Sequence, residues 1–180
     1  YRLIVDLIDT HSDHIERELL AAIAALQPDG VILTPPHSQN PLIVRLLDDQ
    51  NISFARIGSL KEGPGFALTM DDERAARLAT EHLIGLGHRR IGFIAGPAEY
   101  ELSAWRVDGW RATMRDAGLS TDGLLAEGDF GYASGKRAAT QLLDGAVRPT
   151  AIVASNDQMA LATLAVIREL GLNPEIVNIN

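Results

Sequence analysis

Two hydrophobic rhythms alternate along the chain. Short apolar runs near Arg2–Ile8, Gly30–Thr34, Ser53–Ile57, Phe66–Met70, Ile91–Ala95, Leu124–Gly128, Ala151–Ala154 and Ile176–Ile179 predict strands. Between them, apolar residues at helical spacing predict helices near Asp13–Leu26, Pro41–Asp49, Glu73–Leu86, Ala104–Ala117, Ala133–Leu143 and Gln158–Leu170. Gly87, Gly118 and Gly171 each follow a helical run, where a left-handed cap belongs, and Asp72 and Asp157 stand where N-caps are expected. Strand and helix alternating, save between Ser53–Ile57 and Phe66–Met70, is the pattern of a parallel sheet covered on both faces. The pattern repeats on either side of Gly87 without a Pro/Gly/Ser linker, which predicts two lobes, residues 1–87 and 88–180.

Composition narrows the possibilities. Of 180 residues, 46% are hydrophobic and 22% charged, which excludes a disordered chain. No apolar run approaches the roughly 18 residues that a bilayer span requires. With no cysteine there is no disulfide framework, thiol nucleophile or Cys-ligated zinc. The net charge of −8 argues against direct contact with a phosphate backbone, leaving only local basic spots such as His88-Arg89-Arg90.

In open α/β sheets ligands sit beyond the carboxyl ends of the strands. The loops there carry Asp9-Thr10-His11, Thr34-Pro35-Pro36, Asp71-Asp72, Gly96-Pro97 through Arg106, Asp129-Phe130 and Ser155-Asn156-Asp157. Short polar groups, an arginine and an aromatic suit a pyranose or nucleoside-like ligand, whose hydroxyls need buried partners while its apolar face needs a ring.

Enzymatic readings find little support. His11 and His14 with Asp9 and Asp13 lack the H-E-x-x-H spacing, so no metal site is expected. Ser134-Gly135-Lys136 resembles a P-loop ending, but Phe130 and Arg137 stand where Gly and Ser/Thr are required. G-x-S-x-G and G-x-G-x-x-G are absent, and the neighbouring pairs Asp48-Asp49 and Asp71-Asp72 do not face one bond as glycosidase carboxylates must. Neither catalysis nor a cofactor is expected.

Three ordered blocks are more specific: His82-Leu83-Ile84-Gly85-Leu86-Gly87-His88-Arg89-Arg90-Ile91-Gly92-Phe93-Ile94-Ala95-Gly96-Pro97, Ser103-Ala104-Trp105-Arg106-Val107-Asp108-Gly109-Trp110, and Ser155-Asn156-Asp157-Gln158-Met159-Ala160. Together they closely resemble the regulatory core of LacI/GalR-family transcription repressors, over essentially the whole chain. The resemblance implies an α/β fold of two parallel-sheet lobes of the periplasmic-binding-protein-like type I. A small sugar-like effector would bind between the lobes and control operator DNA binding by an N-terminal helix-turn-helix outside this sequence. It further implies a cytoplasmic homodimer. Tyr1 opening directly on a strand and a last strand that ends at Asn180 fit a chain truncated at both ends.

Carried over by position, the resemblance implies ligand contacts from Arg106, Asn156, Phe130 and Asp71, with Thr34 and Thr10 in the corresponding loops of the first lobe. Leu102 and Ala75 depart from the family pattern, which leaves the ligand itself open. Each residue also has a plain structural reading: Arg106 as a surface cation, Asn156 and Asp157 as caps, Phe130 as core, Asp71 as a helix start, and both threonines as loop hydroxyls. If Arg106 serves the ligand alone, Arg106→Ala should abolish binding at little cost to the unliganded fold. The competing readings are a solute-binding protein serving sugar uptake and a sugar-modifying α/β enzyme.

Overall fold

The structure, a computed structural model, describes residues 2–9, 12–59, 62–173 and 175–179. The chain divides into two compact units, Tyr1–Met70 and Asp71–Asn180.

In the first unit, α1 (Ile15–Leu26), β1 (Val31–Leu33), a 3-10 turn (His37–Gln39), α2 (Pro41–Asp49), β2 (Phe54–Ile57) and β3 (Phe66–Leu68) follow in order. The strands form a parallel sheet in the order β1-β2-β3. Helix α2 starts where the chemistry directs: the Asn40 side chain accepts from the Leu42 and Ile43 N–H groups, and Pro41 takes the first helical position, where its missing N–H is harmless. Ile15 and Leu19 of α1, Ile43 and Leu47 of α2, and Leu33 and Phe54 of the strands make one core. Ile32, Ile57, Leu68 and Phe66 remain exposed, Phe66 at 76%.

The strand expected at Arg2–Ile8 is not one. Those residues carry no regular structure, and Leu3, Val5 and Leu7 are exposed, Leu7 at 91%. Alternation marks a segment able to pair, but a strand exists only on a ladder. Among the described residues no ladder partner takes it up.

The second unit comprises α3 (Asp72–Gly85), β4 (Ile91–Ala95), α4 (Glu101–Asp116), β5 (Leu125–Glu127), α5 (Tyr132–Asp144), β6 (Ala151–Ala154), α6 (Asp157–Glu169) and β7 (Glu175–Asn178). Its sheet is parallel, in the order β5-β4-β6-β7. Both faces are covered, as the continuous apolar strands predict. Ile91, Phe93 and Ala95 pack with Ala76 and Leu83 of α3 and Val107, Trp110 and Met114 of α4. Ile94, Ile152 and Ala154 point the other way, into Ala138, Leu142 and Leu143 of α5 and Met159, Val166 and Ile167 of α6. Gly87, Gly118 and Gly171 have φ of 97°, 67° and 63°, the left-handed conformations expected after their helices.

The boundary between the units falls at Met70/Asp71, not at Gly87. Helix α3, expected in the first lobe, buries its apolar face against α4 instead. Gly109 permits this, since a Cβ there would collide with the backbone carbonyl of Glu73. Periodicity reveals that α3 has an apolar face but not which neighbour receives it.

Candidate functional site

Strand order locates the site. The chain leaves β4 toward β5 on one side, returns across β4 to β6, and leaves β6 toward β7 on the other side. The carboxyl ends of β4 and β6 therefore flank a topological switch point, where diverging loops open a crevice. The two ends are joined tightly: the Ser155 N–H and Oγ both donate to the Ile94 carbonyl, at 3.0 and 2.8 Å.

Arg106 reaches this point from α4. It is 9% exposed, which removes the surface-cation reading. Its Nε donates to Asp72 Oδ1 at 2.7 Å and its Nη1 to the Ser155 carbonyl at 2.6 Å. Asp72, at the first turn of α3, is 4% exposed. The close α3–α4 approach allowed by Gly109, one turn beyond Arg106, brings the two charges together. Desolvation makes such a pair costly to break, because either partner left alone is an uncompensated buried charge. Arg106 is thus a structural member of the unit as well as a candidate contact. Its Nη2 makes no hydrogen bond among the described residues, and the side chain keeps 11% exposure.

Asp71 and Asn156 take the capping positions expected for Asp72 and Asp157. The Asp71 side chain accepts from the Arg74 N–H at 2.8 Å and the Asn156 side chain from the Met159 N–H at 3.0 Å. A shallow depression of about 340 Å³ beside Asp71 is lined by Asp71, Glu73, Arg74 and Arg77, all charged and with no ring to stack a sugar.

Asn156 has a second task. Its Nδ2 donates to the Phe130 carbonyl at 2.8 Å, fixing the loop after β5 to the loop after β6. Phe130 has φ of 65°, uncommon for a bulky residue and a form of strain found at sites where the surroundings impose it. Its ring meets Tyr100 edge to face, with centroids 5.6 Å apart. It also lies over Gly96, where a Cβ would collide with the ring. Phe130 is half-buried and packs partly on the α5–α6 core, so the core and site readings both describe it.

Asp129 is held below its ordinary pKa by the Ser134 hydroxyl, then by the Gly131 N–H. These bonds secure the loop that carries Phe130. Ser103 is buried, and its Oγ, which a Cβ on Gly96 would approach to 2.7 Å, has no partner among the described residues.

Arg106, Asn156, Phe130 and Asp71 are therefore brought together at one edge of the second unit. Asp71 was expected from the first lobe, and moves with α3. Thr34 belongs to the first unit, exposed just after β1. Thr10 lies outside the described residues, as does His11. The sequence places Asp72, Tyr100, Ser103 and Ser155 in these loops but singles out none of them as a site residue. Asp72 and Arg106 are 34 positions apart, and no local pattern signals that pairing.

Parallel sheets wrapped by helices, with polar groups gathered at the carboxyl edge, define an α/β domain of the periplasmic-binding-protein type. Residues 4–179 match the family described as periplasmic binding proteins and sugar binding domain of LacI family, and the chain belongs to that family. It is 35% identical over 170 residues to the HTH-type transcriptional regulator CelR of Thermobifida fusca, covering 92% of this chain and 50% of the relative. Catabolite control protein A of Priestia megaterium is 33% identical, over 96% of this chain and 52% of its own. The HTH-type transcriptional repressor CytR of Escherichia coli K12 is 32% identical, over 94% and 50%. A solved complex of transcriptional regulator CelR with cellobiose superimposes with a TM-score of 0.78 at 33% identity, covering 93% of this chain and 53% of that one. The chain spans about half the length of these relatives.

Proposed function

We propose that this chain is the effector-sensing domain of a LacI/GalR-type transcriptional repressor, taking a small sugar-like ligand and controlling operator binding by a helix-turn-helix carried elsewhere in the full-length protein. The observation that carries this reading is the Arg106 guanidinium at the β4/β6 switch point, oriented by Asp72 and the Ser155 carbonyl, with one nitrogen left for a ligand. Asn156 and Phe130 stand beside it, a cap whose amide holds the strained loop and a ring able to stack on a sugar face. Asp71 borders the same edge, while Thr34 and Thr10 rest on the family resemblance alone. The known relatives are named as regulators, which favours a cytoplasmic homodimeric repressor without catalytic activity over a solute-binding protein for sugar uptake. No described helix is long and apolar enough to cross a membrane.

The test is calorimetry and thermal shift of the full-length protein against mono- and disaccharides, beginning with cellobiose. A ligand binding only the folded state raises stability by RT ln(1 + [L]/Kd). Recovery of the sugar unchanged supports a sensor, and its chemical conversion supports the enzyme reading. Ligand-dependent change in operator retardation separates the repressor from an uptake protein.

A further inference from the structure

We infer that Asp72 sets the charge class of the ligand: the site takes an uncharged polyhydroxyl compound and discriminates against carboxylate and phosphate forms of the same sugar. This rests on the sensor reading above and adds a specificity residue to it.

An arginine at a binding site is equally suited to a hydroxyl and to an anion, and bidentate pairing makes carboxylate and phosphate its strongest ligands. Here the positive charge is already answered. Asp72 lies against Nε at 2.7 Å, with side-chain exposures of 11% for Arg106 and 4% for Asp72. In so dry a place the pair presents almost no net charge to a ligand. The Nε edge of the guanidinium, which an incoming carboxylate would grip, is occupied by Asp72. Nη1 is committed to the Ser155 carbonyl, leaving Nη2 as the reachable donor.

The second argument is the hydrogen-bond inventory. Asp72 Oδ2 makes no hydrogen bond among the described residues, and the Asp72 side chain keeps 4% exposure. An ionised carboxylate only accepts, whereas a sugar hydroxyl both donates and accepts. A hydroxyl at this edge satisfies both groups at once, receiving from Nη2 and giving to Oδ2. A carboxylate or phosphate there would leave Oδ2 unmatched and set two negative charges against each other.

The experiment is calorimetry on the full-length protein at fixed ionic strength with matched probes: glucose, glucuronate and glucose 6-phosphate, then cellobiose and cellobionate. Wild type is expected to bind the neutral member of a pair at least about tenfold tighter, since like charges set against each other in so dry a place oppose binding. In Asp72→Asn, which keeps an acceptor for Nε and removes the charge, that ratio is expected to fall by about tenfold or more. An acid bound as tightly as its neutral partner by wild type overturns the inference while leaving the sensor reading in place. A ratio unchanged in Asp72→Asn also overturns it. Silence across the whole panel overturns the sensor reading itself and this inference with it. If Asp72→Asn does not fold, the wild-type ratio alone decides.

Discussion

Arg106 and Asp72 meet through one 2.7 Å bond, from Nε to Oδ1, across the crossing of α4 and α3. The bond joins the residue that the family resemblance marks for the ligand to one that the sequence marks only as a helix cap. It revises the expectation that Arg106→Ala would leave the unliganded fold untouched. Removing the guanidinium leaves the Asp72 carboxylate buried and uncompensated, at a cost of about 3–5 kcal/mol. Replacing both residues with apolar side chains of similar volume should restore most of that loss. Urea denaturation of the two variants checks both outcomes, and an Arg106→Ala protein as stable as wild type would show that the pair does not form.

The same crossing depends on Gly109. Gly109→Ala drives a methyl group into the Glu73 carbonyl, on backbone that cannot swing aside. The expected loss is about 1–3 kcal/mol, as for other overpacked sites. Separation of the helices should also weaken ligand binding, because Asp72 adjoins Glu73 and moves with it. Gly85→Ala is the control: it ends α3 with open space around its Cα, and is expected to hold or slightly raise the melting temperature.

The Asp129–Ser134 contact gives a pH prediction. The Asp129 carboxyl lies below its ordinary value of 3.8, chiefly because it accepts from the Ser134 hydroxyl and then from the Gly131 N–H. A carboxylate with a depressed folded-state pKa contributes stability that is complete above its unfolded value and is lost as pH falls through the folded one. The contribution is therefore intact at neutral pH and fades only in strong acid. Ser134→Ala should move the Asp129 titration back toward 3.8, which NMR of its side-chain carboxyl reads directly. An unmoved titration would assign the shift to the backbone bond alone.

Much of the second unit was legible in sequence. Its central strands, β4 and β6, are continuously apolar and its helices are followed by glycine, so each element falls within a few residues of its expected place. Arg106, Phe130 and Asn156 converge because strand order puts the segments after β4, β5 and β6 on one edge, and Asp71 joins them through α3, which packs on α4. What periodicity does not encode is the partner of each face. Helix α3 was therefore assigned to the wrong unit, and the run at Arg2–Ile8 was read as a strand although no ladder among the described residues receives it. The caps shifted by one residue, from Asp72 and Asp157 to Asp71 and Asn156, because adjacent polar residues compete for the same N–H groups. Asp72, once released from capping, became free to face Arg106.

Arg56 offers a prediction of the opposite sign from Arg106. It lies on β2, level with Leu33 of β1 in the parallel register and two residues after Phe54, so it enters the core face of the first unit. It is 3% exposed. Its hydrogen bond runs from Nη2 to the Gly63 carbonyl at a long 3.3 Å, while Nε has no partner among the described residues. No carboxylate pairs with it among those residues. The hydroxyls of Ser38 and Ser59 are likewise buried without partners among the described residues. A buried charge so poorly matched weakens the fold, and replacing it with an apolar side chain of similar length removes a desolvation cost without opening a large cavity. Arg56→Met is therefore expected to leave stability unchanged or raise it by about 1–4 kcal/mol in urea denaturation. A loss of several kcal/mol would show instead that the guanidinium has a strong partner in the folded protein.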